Sequence, residues 1–224
     1  MISILMPTRK RFKYLTASIN SLLQTCKDKN NLEILLLFDD DDQETVNQFE
    51  DWKNNSEEFN CKHLVVPRLG YSGMHEYNNM LAEISSGDWI FLWNDDSRMS
   101  SKNWDQLILE EYKDKFVFLS PKNLNNVKYT STQSMFPIFP KKWYNITERI
   151  SPYQQSDTYL NQVAYRLNIF QYEPRIFHEH GDFDIATENR IQDEVTAEIQ
   201  YKARVPFNDV MRDVQLIKDS FKHE

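Results

Sequence analysis

Apolar positions in the first 100 residues alternate between short continuous runs and longer stripes with helical spacing. Each short run ends at a proline or an acid, which is typical of a strand buried on both faces. The stripes repeat every three or four residues, as in a helix that packs one face on a core. The predicted strands cover residues 2–6, 32–38, 62–66 and 89–93, and the predicted helices cover 12–25, 43–53 and 74–86. This alternation predicts an α/β fold with a mostly parallel central sheet flanked by helices.

The second half of the chain is less regular. Helices are predicted over residues 104–113 and 156–167, and strands over 116–120 and 169–177. Residues 134–140 carry two prolines and are at best an edge strand, because proline donates no ladder hydrogen bond. Gly87 is the expected C-cap of the helix over 74–86, Ser156 is the expected N-cap of the helix over 156–167, and a polar helix is expected after residue 187. No linker or repeat interrupts the sequence, so we expect one domain over residues 1–224.

Composition narrows the class of protein. Of the 224 residues, 40% are apolar and 13% aromatic, which is enough for a sizeable core. The formal net charge of -8 argues against nucleic acid as a partner, because such affinity comes mainly from Lys and Arg. Cys26 and Cys61 have neither metal-ligand spacing nor a disulfide pattern. The first apolar run is too short for a signal peptide, and no stretch approaches the roughly 18 apolar residues of a transmembrane helix. We therefore expect a soluble, cytoplasmic protein.

The segment from Trp89 to Asp96 carries the most information about function. Five apolar residues run directly into Asn94, Asp95 and Asp96. Charged side chains cannot continue inside a buried sheet, so the acids should be exposed at the carboxyl end of the strand, where open α/β sheets bind ligands. Two carboxylates and an amide at that edge can hold a hard cation and a ribose.

Three segments together resemble family 2-type glycosyltransferases of the GT-A fold: Ser3 to Arg9, Glu33 to Asp40, and Gly87 to Asp96. In that family, the first strand ends in a Pro-Thr turn at the nucleotide, the second ends in an acid that contacts the base, and a hydrophobic run leads into an Asp-x-Asp motif. The resemblance implies a nucleotide-sugar-binding half over residues 1–100, an acceptor and catalytic half over 101–186, and a helical extension over 187–224. It also implies transfer of a sugar to a saccharide or other hydroxyl acceptor.

The resemblance assigns roles to particular residues. Donor contacts are implied for Pro7, Thr8, Arg9, Asp39 or Asp40, Gly73, Asn94 and Asp95. Asp96 is implied as a ligand of Mn²⁺ or Mg²⁺, the cation that stabilises the departing diphosphate. The first motif acid is Asn94 here, which keeps a hydrogen-bonding group but removes a charge. The run Asp39 to Asp42 leaves the register of the base-contacting acid open, and a solvated turn with acids at a helix start is the other interpretation of that run.

Two further candidates come from the second half. Asp157, at the start of its clearest helix, is the candidate general base for the acceptor hydroxyl, and the family resemblance then implies inversion at the sugar. Its other interpretation is an ordinary helix-start acid. His178 and His180 face the same way on an extended segment, and the resemblance implies that one of them, with His180 favoured, is a further metal ligand. A surface histidine pair is the alternative.

Two other functions fit parts of the pattern. A sugar nucleotidyltransferase also combines acids with Mg²⁺, but the turn after the first strand holds Pro7-Thr8-Arg9-Lys10-Arg11 without glycine. Gly70 and Gly73 could let backbone N–H groups approach a phosphate, although a simple turn explains them equally well. A non-catalytic nucleotide- or carbohydrate-binding protein remains open because of Asn94.

Overall fold

The computed structural model of the protein describes residues 1–180 and 205–222. Its strands are β1 (Ile2–Thr8), β2 (Leu32–Asp39), β3 (Cys61–Val66), β4 (Trp89–Leu92), β5 (Ser97–Met99), β6 (Phe118–Asn123), β7 (Ile138–Pro140) and β8 (Phe170–His180). Its helices are α1 (Phe12–Thr25), α2 (Gln43–Asn54), α3 (Met74–Ile84), α4 (Trp104–Glu111), α5 (Val127–Thr130), α6 (Lys141–Thr147), α7 (Ser156–Leu167) and α8 (Phe207–Ser220). Short 3₁₀ turns cover Lys29–Asn31 and Tyr71–Gly73.

The eight strands form one sheet in the order β3-β2-β1-β4-β7-β6-β8-β5. The first four of these strands run parallel to one another, as do β6 and β8, whereas β7 and β5 are antiparallel to their neighbours. The predicted α/β fold with a mostly parallel sheet flanked by helices is confirmed. In this sheet, the carboxyl ends of β1, β2 and β4 lie along one edge.

The prediction that residues 134–140 form at best an edge strand is wrong. β7 lies inside the sheet, between β4 and β6. Pro140 pairs with Trp89 at the end of the short ladder, and Pro137 precedes the strand and accepts a hydrogen bond from the Leu92 N–H. Neither proline therefore has to donate within the ladder, which is why an interior position is tolerated.

Apolar residues of the sheet alternate between two cores. Ile4 and Phe38 pack on one face, with α1, α2 and α4, while Leu5 and Leu37 pack on the other, with α3, α6, α7 and α8. This alternation follows from the period of two along a strand. The helices thereby cover both faces of the sheet.

Both predicted helix caps are wrong. α3 ends at Ile84, and Ser85 occupies its C-cap position. A Cβ at Gly87 would lie 2.7 Å from the carbonyl oxygen of Met1, so glycine is required by this close approach and not by a helix end. The N-cap of α7 is Gln155, and Ser156 is the first helical residue.

The C-terminal part is joined to the second half of the domain by α8, which packs against α6 and α7. Asp213 on α8 is fully buried and receives hydrogen bonds from the Arg149 guanidinium at 3.0 and 3.2 Å and from the Tyr159 hydroxyl at 2.6 Å. A helix after residue 187 is thus found at 207–220, while 187–204 lie outside the described residues. Among the described helices, none is long and apolar enough to cross a membrane.

Candidate active site

The carboxyl ends of β1 and β4 lie side by side, and the predicted acids beyond β4 contact residues at and just after the end of β1. Asp95 lies in the turn between β4 and β5 and is only 4% exposed. The Thr8 hydroxyl donates a hydrogen bond to its Oδ2 at 2.7 Å, and Nη1 of Arg11 donates to its Oδ1 at 3.0 Å. Burial raises the pKa of Asp95, opposed by the charge of Arg11 and reinforced by that of Asp96. Asn94, the residue before Asp95, is exposed.

Asp96 and His180 lie close together at the same edge. β5 begins immediately after Asp96 and pairs Ser97 with His180, which brings the end of β8 beside the acid. Oδ1 of Asp96 lies 3.3 Å from Nε2 of His180, without the geometry of a hydrogen bond. Nη1 of Arg11 lies 3.3 Å from the other carboxylate oxygen, Oδ2.

The expectation that Asp96 is exposed is wrong, because the residue is only 2% exposed and its carboxylate contacts Arg11. β5 begins directly after Asp96 and pairs with the end of β8, so the acid lies where these two strands meet. Replacing Asp96 with alanine would remove one of the two carboxylates that Arg11 contacts, while the closer contact with Asp95 would remain.

The two histidines have different surroundings. Both rings contact Phe136, with centroid distances of 4.8 Å, so they face the same way as predicted. His178 is fully buried between Phe136 and Trp93, and burial lowers its pKa to about 3, with His180 adding to the effect. His178 is thus a neutral core side chain, and His180 is the histidine that lies at Asp96.

A second group of charges surrounds the end of β2. Asp39 is buried and accepts hydrogen bonds from Nη1 of Arg9 at 3.0 Å and from the Tyr77 hydroxyl. Arg9 also forms two hydrogen bonds with Asp41, and together these carboxylates raise its pKa. Asp40 is exposed on the turn. The end of β2 therefore presents an acid and a guanidinium side by side.

The remaining residues of the acidic turn and the glycine loop have structural contacts. Asp42 accepts a hydrogen bond from the backbone N–H of Lys10 at 2.6 Å, which ties the turn after β1 to the start of α2. A Cβ at Gly73 would lie 2.3 Å from Cβ of Leu69, so this glycine is needed for the fold of its own loop. The Leu69 N–H donates to the Tyr77 hydroxyl at 2.6 Å, and the loop is thereby joined to Asp39.

Asp157 lies in the first turn of α7. Burial raises its pKa to about 6, although the backbone and hydroxyl of Thr158 lower it. The side chain of Asn161, one turn later, pairs with both backbone groups of Ser134 at 2.8 Å. Ser134 belongs to the segment that leads into β7, and β7 begins beside the end of β4. The start of α7 is therefore held at the edge of the sheet where β1 and β4 end, called the active edge below. Burial also raises the pKa of Tyr129, with a contribution from the charge of Asp157.

Sequence reasoning missed two residues that organise this edge, Arg11 and Tyr77. Arg11 is the last residue of the basic run after β1, and that run was the only available signal. Within residues 1–180 and 205–222, no three His, Cys, Asp or Glu side chains converge as a metal site.

Comparisons with known proteins identify the family and the fold of this chain. The profile of the family described as "Glycosyl transferase family 2" matches residues 3–184. The mannosyltransferase PcManGT from Pyrobaculum calidifontis, solved with GDP-Man and Mn²⁺, superimposes with a TM-score of 0.68 at 9% identity, covering 96% of this chain and 68% of that chain. Residues 1–349 of S. aureus TarS, solved with UDP-GlcNAc, give a TM-score of 0.62 at 16% identity, covering 95% of this chain and 65% of that chain. No curated protein matches by sequence.

Proposed function

This chain belongs to glycosyl transferase family 2, and we propose that it moves a sugar from a nucleotide diphosphate donor to an acceptor hydroxyl with the help of Mn²⁺ or Mg²⁺. The observation that carries the proposal is the approach of Asp96 and His180 to 3.3 Å at the carboxyl edge of β1 and β4. The two similar structures, solved with GDP-Man and with UDP-GlcNAc, support a nucleotide-sugar donor.

The side-chain atoms that could bind a metal at this edge are suitable for a divalent cation. Nε2 of His180 is buried and has no hydrogen-bond partner among the described residues, and a metal bond would satisfy it. An imidazole nitrogen and a carboxylate oxygen suit Mn²⁺, and the remaining positions are open to diphosphate oxygens and water. A cation held by Asp96 and His180 would supply positive charge that stabilises the departing diphosphate. His178, enclosed by aromatic rings, is the weaker candidate ligand.

The nucleotide would lie along the ends of β1 and β2. We assign the base to the end of β2, where the Asp39 carboxylate can accept from a ring N–H and Arg9 can donate to a neighbouring carbonyl oxygen. Asp40, on the exposed turn, is the alternative acid. Pro7 and Thr8, the last two residues of β1, would lie at the diphosphate side. Asn94 and Asp95 would lie next to them for the ribose, and Gly73 belongs to the loop that faces Asp39.

Asp157 is the proposed general base. A carboxylate with a pKa of about 6 is ionised at neutral pH and still basic enough to take the proton of the acceptor hydroxyl. The acceptor oxygen forms the new bond to the anomeric carbon as the bond to the diphosphate oxygen breaks, and the proton passes to Asp157. This single in-line displacement inverts the anomeric centre.

Calorimetric titration of the protein with UDP, GDP and dTDP, with and without Mn²⁺, tests the proposal. We expect one of these three nucleoside diphosphates to bind. Its affinity should depend on Mn²⁺, and most of this dependence should disappear in Asp96→Asn. Equal nucleotide affinity with and without Mn²⁺ would contradict the proposed role of the cation. If none of the three nucleotides binds, the proposed donor site is wrong. Metal-dependent binding without turnover of any nucleotide sugar would favour a non-catalytic binding protein.

A further inference from the structure

Arg11 is placed between the two buried acids of the active edge. Its Nη1 atom lies 3.0 Å from Oδ1 of Asp95 and 3.3 Å from Oδ2 of Asp96, and its side chain is 19% exposed. Its backbone is the N-cap of α1, and its carbonyl oxygen accepts hydrogen bonds from Tyr14 and Leu15. The guanidinium is therefore tethered to a fixed point of the fold while its free end reaches both acids.

This position divides the two oxygens of Asp96 between different neighbours. Oδ2 lies on the side of Arg11, whereas Oδ1 lies on the side of His180. A cation held by Nε2 of His180 and by Asp96 must therefore use Oδ1, and a two-oxygen contact with Asp96 would require Arg11 to leave. Arg11 thus limits how the carboxylate can be offered to a metal.

The charges add an energetic consequence. Asp95 and Asp96 carry the acidic charge that would attract a dication, and Arg11 already offsets part of it; the partly buried guanidinium of Arg98 also interacts electrostatically with both acids. A divalent cation on Oδ1 would also lie within a few ångströms of the guanidinium and be repelled by it. A diphosphate brings negative charge to the same place, and guanidinium binds phosphate as readily as carboxylate.

We propose that Arg11 is a positioning residue that makes cation binding depend on the donor: it holds the acids in the free enzyme and passes to the diphosphate when cation and donor bind together. The inference rests on the proposed function. Binding of the two ligands is then coupled, and each raises the affinity of the other by the same factor. The coupling would keep the free enzyme from holding a cation in a site without a donor.

Mn²⁺ binding to Arg11→Met tests this proposal by electron paramagnetic resonance, without any turnover. In the absence of nucleotide, we expect Mn²⁺ to bind about 10- to 100-fold more tightly than to wild type, because the nearby positive charge is gone. With saturating UDP or GDP the gain should be much smaller, so the coupling factor between Mn²⁺ and nucleotide should fall. Measuring nucleotide affinity with and without Mn²⁺ must return the same factor.

Two variants serve as controls. Lys13→Gln removes one positive charge from an exposed position on the same helix, and it should leave the Mn²⁺ affinity close to that of wild type. Arg11→Lys keeps the charge and should retain weak Mn²⁺ binding in the absence of nucleotide. If Arg11→Met does not fold, Arg11→Gln replaces it, since the amide is neutral but still donates hydrogen bonds to the acids.

The inference is overturned if the folded neutral variant binds Mn²⁺ no more tightly than wild type, or if its coupling factor is unchanged. Either result leaves the proposed function standing, provided that wild type binds nucleotide with Mn²⁺. If neither protein binds Mn²⁺ under any condition, the inference and the metal dependence of the proposed function both fail.

Discussion

Replacing Asp157 with asparagine should make the protein more stable and much less active. In the folded protein, burial raises the pKa of Asp157 from 3.8 to about 6, so the fold is destabilised by the ionised carboxylate. A shift of about two units corresponds to about 3 kcal/mol, and the partial solvent access of the side chain reduces this to about 1–3 kcal/mol. Asparagine is nearly isosteric and carries no charge, so it should recover that free energy.

The sign of the effect gives it a distinctive pH dependence. Above pH 6 both the folded and the unfolded chain carry the ionised acid, and the full penalty is present. Between pH 6 and pH 3.8 the unfolded chain remains ionised while the folded chain takes up a proton, so the penalty shrinks as the pH falls. Urea unfolding of both proteins at pH 8, 6 and 4.5 should therefore show a gain for Asp157→Asn that decreases toward low pH.

Transfer should change in the opposite direction. Donor binding should stay close to wild type, while the rate of transfer falls about 10²- to 10⁴-fold, the usual contribution of a general base. Glu148→Gln is the matched control, since Glu148 is an exposed carboxylate upstream of α7. It should change stability by no more than about 0.5 kcal/mol and leave transfer unchanged. The reasoning is refuted if Asp157→Asn transfers sugar at the wild-type rate, and loss of transfer in the control would move the base to Glu148.

Three further predictions address the cation site and the core. Asp96→Asn should weaken Mn²⁺-dependent donor binding more than about tenfold in calorimetry, because it replaces a charged ligand; unchanged affinity would exclude Asp96 as a ligand. His178→Leu should bind Mn²⁺ like wild type, whereas His180→Ala should not. Because the pKa of His178 is lowered to about 3, stability should fall as the pH drops from 6.5 toward 3, and His178→Leu should lose part of this acid sensitivity in thermal unfolding. Asp213→Ala should lower the free energy of unfolding in urea by about 1–3 kcal/mol, because it removes the buried acceptor of Arg149 and Tyr159 while Asp209 still pairs with Arg149; a change below about 1 kcal/mol would contradict the role given to Asp213.

Local periodicity was sufficient for much of the fold. The predicted ranges of α1 and α7, residues 12–25 and 156–167, agree with the structure, because each carries an uninterrupted apolar stripe. β7 was misjudged because the effect of a proline depends on which ladder position it occupies, and that register is set by β4, far away in the sequence.

The candidate site could be predicted from the sequence only where its residues follow a buried strand. Asp95 and Asp96 follow a buried run, so their place at the carboxyl edge followed from the pattern. Arg11 lies 84 positions from Asp95 along the chain, and no local rule brings the two together. The alternation of His178 and His180 correctly put both rings on one side, but it could not distinguish the ring enclosed by aromatic side chains from the ring beside Asp96.

Transfer itself can be followed most directly by proton NMR of a nucleotide sugar in the presence of the protein, Mn²⁺ and a saccharide acceptor, with UDP-, GDP- and dTDP-linked donors tried in turn. We predict that the anomeric signal of one donor disappears as nucleoside diphosphate and a product of opposite anomeric configuration appear, and that EDTA and Asp157→Asn each stop the reaction. Retention of configuration would contradict the inverting role of Asp157, and a donor that binds with Mn²⁺ but is never consumed would contradict the assignment of this site to catalysis.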